Sequence, residues 1–301
     1  MSAGGSLRAV LYALGANFGI FVAKAVAAAL TGSTAMLAEA IHSFADCGNQ
    51  GLLLRGMREA QRSPNPEHPL GHGMVVYFWA FLVAVLLFVI GGAFSVYEGL
   101  HKLAKPQALS WPGAAIAVLI ISVILESFSL AGCLREVRQV SYGRSLWRFF
   151  RQSRNSELIV VLAEDIAALA GLLVALSAIT LSLVTDNPLF DALGSIVVGA
   201  LLILVALLLT IEIKALITGQ SADPKVEEQI RRFVLDRPEV AEVFSLLTLQ
   251  LGDGILVAAK AHMRESESAS ALIDDVNRLE ADLRRAFPQI RWLFFEPDVE
   301  P

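Results

Sequence analysis

The sequence predicts an α-helical membrane protein, six transmembrane helices followed by a small α+β domain of order α-β-β-α-β. Three observations carry that expectation. The 301 residues are 55% hydrophobic and only 18% charged, with a mean hydropathy of +0.60, outside the range of a soluble domain. Six stretches, roughly 7–30, 34–57, 74–101, 112–138, 157–183 and 189–217, hold the ~20 mostly apolar residues a helix needs to cross the hydrocarbon core. From Ser221 onward charged residues become dense, which divides a transmembrane domain at 1–219 from a C-terminal domain at 220–301.

The first stretch lacks the basic start, short apolar run and small-residue cleavage site of a signal peptide, so it is expected to remain as a span. Arg55, Arg58 and Arg62 follow the second span, and Arg135, Arg138, Arg144, Arg148, Arg151 and Arg154 lie between the fourth and fifth, against only Lys102 and Lys105 on the opposite side. The positive-inside rule then places both termini in the cytoplasm. Cys47 and Cys133 fall within spans and have no other cysteines to pair with, so they read as small apolar packing residues. A net charge of -5, with no basic surface concentrated in the C-terminal domain, argues against nucleic acid as a partner.

In the C-terminal domain, Ala222-Asp223-Pro224 before Val226, Ile230, Phe233 and Val234 predicts a capped helix with an apolar stripe. Val243–Leu251 and Ile255–Met263 read as strands joined at Gly252-Asp253-Gly254, a hairpin signal. Leu272, Val276, Leu279 and Leu283 give helical spacing across 270–287, and 290–295 returns to strand. One sheet with its helices on one face accommodates that order.

The chemistry sits in the spans. Glu39, His42, Asp46 and Asn49 form one stripe of the second span, with Ser43 and Gln50 beside it. Ionisable groups in a lipid-spanning helix are costly and mark ion or proton paths. His42 and Asp46, at i and i+4, project together closely enough to share a cation. Glu164-Asp165 is the other acidic pair well inside a span, and its two side chains lie ~100° apart around the helix. One imidazole with two or three carboxylates suits Zn²⁺, tolerates Fe²⁺, Co²⁺ or Mn²⁺, and without thiolate does not favour Cu⁺. Glu126 with Ser122 and Ser129, and Asn17, read as interhelical hydrogen bonding or a hydrated lining.

These residues resemble the cation diffusion facilitator family. The likeness is carried by Met36-Leu37-Ala38-Glu39-Ala40-Ile41-His42-Ser43 to Asp46, by Gly71-His72-Gly73 leading to Tyr77-Phe78-Trp79, by Ile90-Gly91-Gly92 to Tyr97-Glu98-Gly99, by Asp191-Ala192, and by the ending Phe295-Glu296-Pro297-Asp298. The resemblance implies a homodimeric exporter with a metallochaperone-like cytoplasmic domain, exchanging Zn²⁺ or a similar ion, Mn²⁺, Fe²⁺, Co²⁺ or Cd²⁺, for protons, with no cofactor. It also implies residence in lipid, here expected to be a bacterial inner membrane. His42, Asp46 and Asp165 match its transport-site motif. The common zinc-transporting members carry a further ligand four residues before the helix-five aspartate, where this chain has Val161. Glu164 is the replacement expected in a branch with Glu-Asp in helix five. The resemblance further implies a peripheral metal site at His68 and His72 and a regulatory one at His262, Glu296 and Asp298. A non-transporting partner subunit or a membrane-embedded metalloenzyme would share many of these features, and metal flux into vesicles separates them.

Overall fold

The computed structural model describes residues 3–31, 34–105, 111–141 and 143–300; the side chains of residues 3–4, 31, 34–39 and 41–42 lie outside that description. The long helices are α1 (Ala3–Thr31), α2 (Thr34–Ala60), α5 (Pro112–Val140), α7 (Ser156–Thr185) and α8 (Leu189–Ile217), together with one segment made of α3 (Val75–Leu86), a π-helical turn (Leu87–Ala93) and α4 (Phe94–Ala104). A short helix, α6 (Leu146–Gln152), joins α5 to α7. In lipid every backbone polar group must be satisfied within the chain, which continuous helices achieve.

Among the described residues, five helices are long and apolar enough to cross a membrane: Gly5–Leu30, Val75–Ala104, Pro112–Val140, Ser156–Thr185 and Leu189–Ile217. The protein is therefore an integral membrane protein by length and composition. The expectation of six spans meets that criterion only in part, because α2 is long enough at 27 residues but its polar stripe lowers its apolarity. Outward apolar side chains such as Phe128 (72% exposed) and Val184 (79%) suit a lipid surround rather than water.

The helices form two groups. α1, α2, α5 and α7 pack on one another, while α3, the π turn and α4 pack along α8; α7 touches α8 and α2 touches α3. Close approach of α8 to α4 and to the π turn depends on glycine: a Cβ at Gly99 of α4 would lie 2.9 Å from the Ala192 carbonyl oxygen, and one at Gly199 of α8 would lie 2.8 Å from that of Gly92 in the π turn. Small residues permit such contacts between membrane helices. Cys133 is buried in the bundle core with Val161, and neither cysteine is in a disulfide.

The C-terminal order agrees with the sequence reading: α9 (Pro224–Leu235), β1 (Val240–Leu251), β2 (Gly254–Met263), α10 (Ala269–Ala286) and β3 (Ile290–Pro297). Asp223 caps α9 by accepting from the Lys225 amide, and Ser268 caps α10 by accepting from that of Ala271. The sheet order is β1-β2-β3, with β1 antiparallel and β3 parallel to β2. Ile255, Val257, Ala259 and Ala261 alternate onto the face packed against Val226, Ile230, Val234, Leu279 and Leu283.

This domain docks on the helix ends through its β1–β2 turn. Gly252, at φ +65°, donates its amide to the Tyr77 hydroxyl at 3.0 Å, and a Cβ on Gly73 would collide with the Leu251 carbonyl oxygen. Arg144 pairs with Asp223 at 2.5 Å, and Arg154 donates to the Ser221 carbonyl at 2.7 Å. Burial pulls the Arg154 guanidinium below its usual value, with nearby Asp223 opposing that shift.

Candidate functional site

A cavity of about 210 Å³ runs between the two helix groups. Asp46 of α2, Glu126 of α5 and Glu164 of α7 line it, and so does Lys24 of α1. It extends past Gly91 of the π turn to Glu98, Lys102 and Asp191. Lys102 bridges the last two carboxylates at 3.4 and 3.2 Å, joining α4 to the start of α8. A π turn widens the helix locally and often accompanies a functional site.

The two adjacent acids of α7 face different neighbours, as their ~100° separation requires. Glu164 accepts from Asn49 Nδ2 at 3.3 Å and Gln50 Nε2 at 2.7 Å, both on α2. Asp165 accepts from Ser129 Oγ of α5 at 3.0 Å. Both acids are buried. Gln50 Oε1 is also buried and has no hydrogen-bond partner. The backbone of α2 carries Glu39 and His42, whose side chains lie outside the described residues. Asp46 is half-buried on the cavity wall. Among the described residues no three His, Cys, Asp or Glu side chains gather into a group that could hold a metal ion. Asp46 and Glu164 share the cavity while Asp165 is turned toward α5.

Sequence reasoning placed Asn49 and Gln50 on the wet stripe but not as donors to Glu164, and it passed over Lys24 entirely. Lys24 was detectable: it is a full charge well inside an apolar span, the same signal that singles out Asp46. Val161 is fully buried among core side chains and brings no donor.

Residues 10–215 match the family model described as the cation efflux transmembrane domain. The chain belongs to the cation efflux, or cation diffusion facilitator, family. It is 32% identical over 226 residues to the human mitochondrial proton-coupled zinc antiporter SLC30A9, covering 74% of this chain and 40% of that protein. It is 29% identical over 255 residues to metal tolerance protein C4 of Arabidopsis thaliana, covering 83% of this chain and 55% of the relative. The zinc transporter ZitB of Escherichia coli is 25% identical over 273 residues, or 89% of this chain and 81% of its own length. The chain thus spans about half the length, or less, of the first two. Members of this family are transporters rather than enzymes.

The remaining predicted residues lie elsewhere. The rings of His68 and His72 stand 4.4 Å apart in the loop before α3, and His72 Nδ1 is buried without a partner. In the C-terminal domain the His262 ring stacks on Phe244, Lys260 faces Glu296 in register, and Lys260 Nζ holds Asp298 at 2.8 Å.

Proposed function

We propose that this protein exports a divalent cation, Zn²⁺ foremost, in exchange for protons. The observation that carries the reading is the acidic cavity: carboxylates from α2, α5 and α7 face one space inside a bundle of membrane-length helices. The zinc-transporter names of the relatives agree with it. In this reading α2 crosses as the sixth span, its polar stripe turned to the cavity, and both termini are cytoplasmic, the arginine-rich helix ends lying beside the C-terminal domain.

The ion is held by His42 and Asp46 of α2 with Asp165 and Glu164 of α7. Asp165 leaves Ser129, and Glu164 leaves Asn49 and Gln50, to complete the ligand set when the ion enters. The orphaned Gln50 Oε1 then accepts from a water or from a freed amide. Metal binding requires these groups deprotonated, so ion and protons compete for the same atoms, and that competition couples the fluxes. Outward movement of Zn²⁺ against an inside-negative 100 mV costs about 4.6 kcal/mol, and an inward proton returns about half. The chain acts as a homodimer in a bacterial inner membrane. We assign no metal to His68 and His72, or to His262, Glu296 and Asp298, the last already neutralised by Lys260.

The deciding experiment is flux. Purified protein in vesicles, with a Zn²⁺ indicator on one side and a pH indicator on the other, should show Zn²⁺ movement in one direction and proton movement in the other. Neither flux, or Zn²⁺ movement without protons, would refute the exchange.

A further inference from the structure

Two arginines at the end of α5 nearest the C-terminal domain are left unmatched. Arg135 and Arg138 are exposed, and among the described residues neither guanidinium is in an ion pair. Arg144 and Arg151, a few residues on, are committed to Asp223 and Glu212. The unmatched pair continues an outward stripe. Ile121, Ile124, Phe128, Ala131, Arg135 and Arg138 fall within ~100° of one another around the helix, and all six are exposed. At its charged end a shallow groove is lined by Ala131, Leu134, Arg135, Arg138 and Gln139.

Depth fixes what fills that groove. α5 has 29 residues, a length of about 43 Å against a hydrocarbon core of about 30 Å, so roughly four residues at each end stand in the headgroup layer. Arg138 lies in that layer and Arg135 at its edge, while Ala131 and Phe128 lie at the depth of acyl chains. Lipid is what surrounds an outward face at this depth, and two unpaired cations select lipid that carries negative charge. The planar guanidinium matches phosphate oxygens two at a time. Just past the end of α5, Trp147 of α6 is 62% exposed, an amphipathic ring of the kind that settles at headgroup level.

We propose that this end of α5 binds one anionic phospholipid, its phosphate held by Arg135 and Arg138 and its acyl chain laid along Ala131 toward Phe128. The occupant comes from the leaflet beside the C-terminal domain. The site is separate from the acidic cavity and does not depend on the proposed exchange.

The test uses the full chain in detergent, titrated with dioleoyl phosphatidylglycerol or dioleoyl phosphatidylcholine, with retained lipid counted by native mass spectrometry. The parent should hold phosphatidylglycerol ~tenfold or more tightly than phosphatidylcholine, and replacing both arginines by Arg135→Gln and Arg138→Gln should bring the two lipids within about twofold. Arg138→Gln alone should cost ~fivefold, which decides the matter if the double variant does not elute as a folded species. Arg135→Lys with Arg138→Lys keeps the charge and should keep part of the preference; a lysine pair as poor as the glutamine pair would overturn charge recognition. Arg58→Gln with Arg62→Gln removes the same charge from the end of α2 and should leave the preference intact. An equal loss there would reduce the site to general attraction and refute it, as would a parent that does not discriminate the two lipids. Inorganic phosphate at millimolar concentration should not displace the lipid, and displacement would assign the groove to a soluble anion instead.

Discussion

The helical bundle and the C-terminal domain treat a carboxylate in opposite ways. Glu164 is buried between helices and met by two amide donors from α2, whereas Asp298 stands at the surface against a lysine. The C-terminal domain keeps its interior apolar, built from residues such as Ile230, Val257, Leu279 and Leu283, and leaves charge to water. The bundle does the reverse, with apolar side chains outside and Asp46, Glu126, Glu164 and Asp165 turned inward. The solvent explains the contrast. Water solvates a surface carboxylate at little cost, but lipid cannot, so an acid in the bundle persists only beside donors, a counter-charge or an ion.

That comparison breaks most sharply at the cavity. Asp46→Ala and Asp165→Ala should each abolish Zn²⁺-driven proton flux while the protein still elutes as a folded species; near-parental flux in either variant would show the proposed site to be wrong. Glu164→Gln keeps the shape and removes the anion, so Zn²⁺ affinity should fall ~tenfold or more. Affinity unchanged within about twofold would reassign Glu164 to packing between α2 and α7.

The boundary between the two regions comes next in size. Gly73→Ala drives a Cβ into the Leu251 carbonyl oxygen, so the β1–β2 turn must separate from the start of α3. We expect a loss of ~1–3 kcal/mol in docking, seen as faster proteolysis near Gly219. Tyr77→Phe should act in the same direction by about 1 kcal/mol, because it strands the Gly252 amide. If neither substitution changes the cleavage rate, the two regions do not depend on this contact.

The smallest effect belongs to the surface pair. The Lys260 hydrogen bond holds the Asp298 carboxyl below the usual carboxylate range. A depressed acid stabilises the fold above its unfolded value, and that contribution is lost as pH falls through the folded one. The slight difference in unfolding midpoint between the parent and Lys260→Ala should therefore shrink as pH drops from about 7 to about 3. A difference that widens toward acid would reverse the assignment.

Periodicity and turn chemistry are local properties, and they made much of the molecule legible. Asp223-Pro224 started α9 where the cap predicts, and Gly252-Asp253 turned β1 into β2. The sequence reads six apolar stretches as spans, of which five meet length and apolarity among the described residues; α2 falls short because the stripe that makes that helix interesting also lowers its apolarity. The same averaging concealed Lys24, one charge diluted among many apolar neighbours. Which residues carry ionisable chemistry inside the apolar segments, and the α-β-β-α-β order after them, were determined by the sequence alone. Tertiary structure alone decided that Glu164 meets Asn49 and Gln50 while Asp165 meets Ser129, that Lys24 and Glu126 share one cavity, and that β3 runs parallel to β2. Those facts depend on how helices rotate against one another and how strands are ordered, which packing between distant segments settles and no local pattern records.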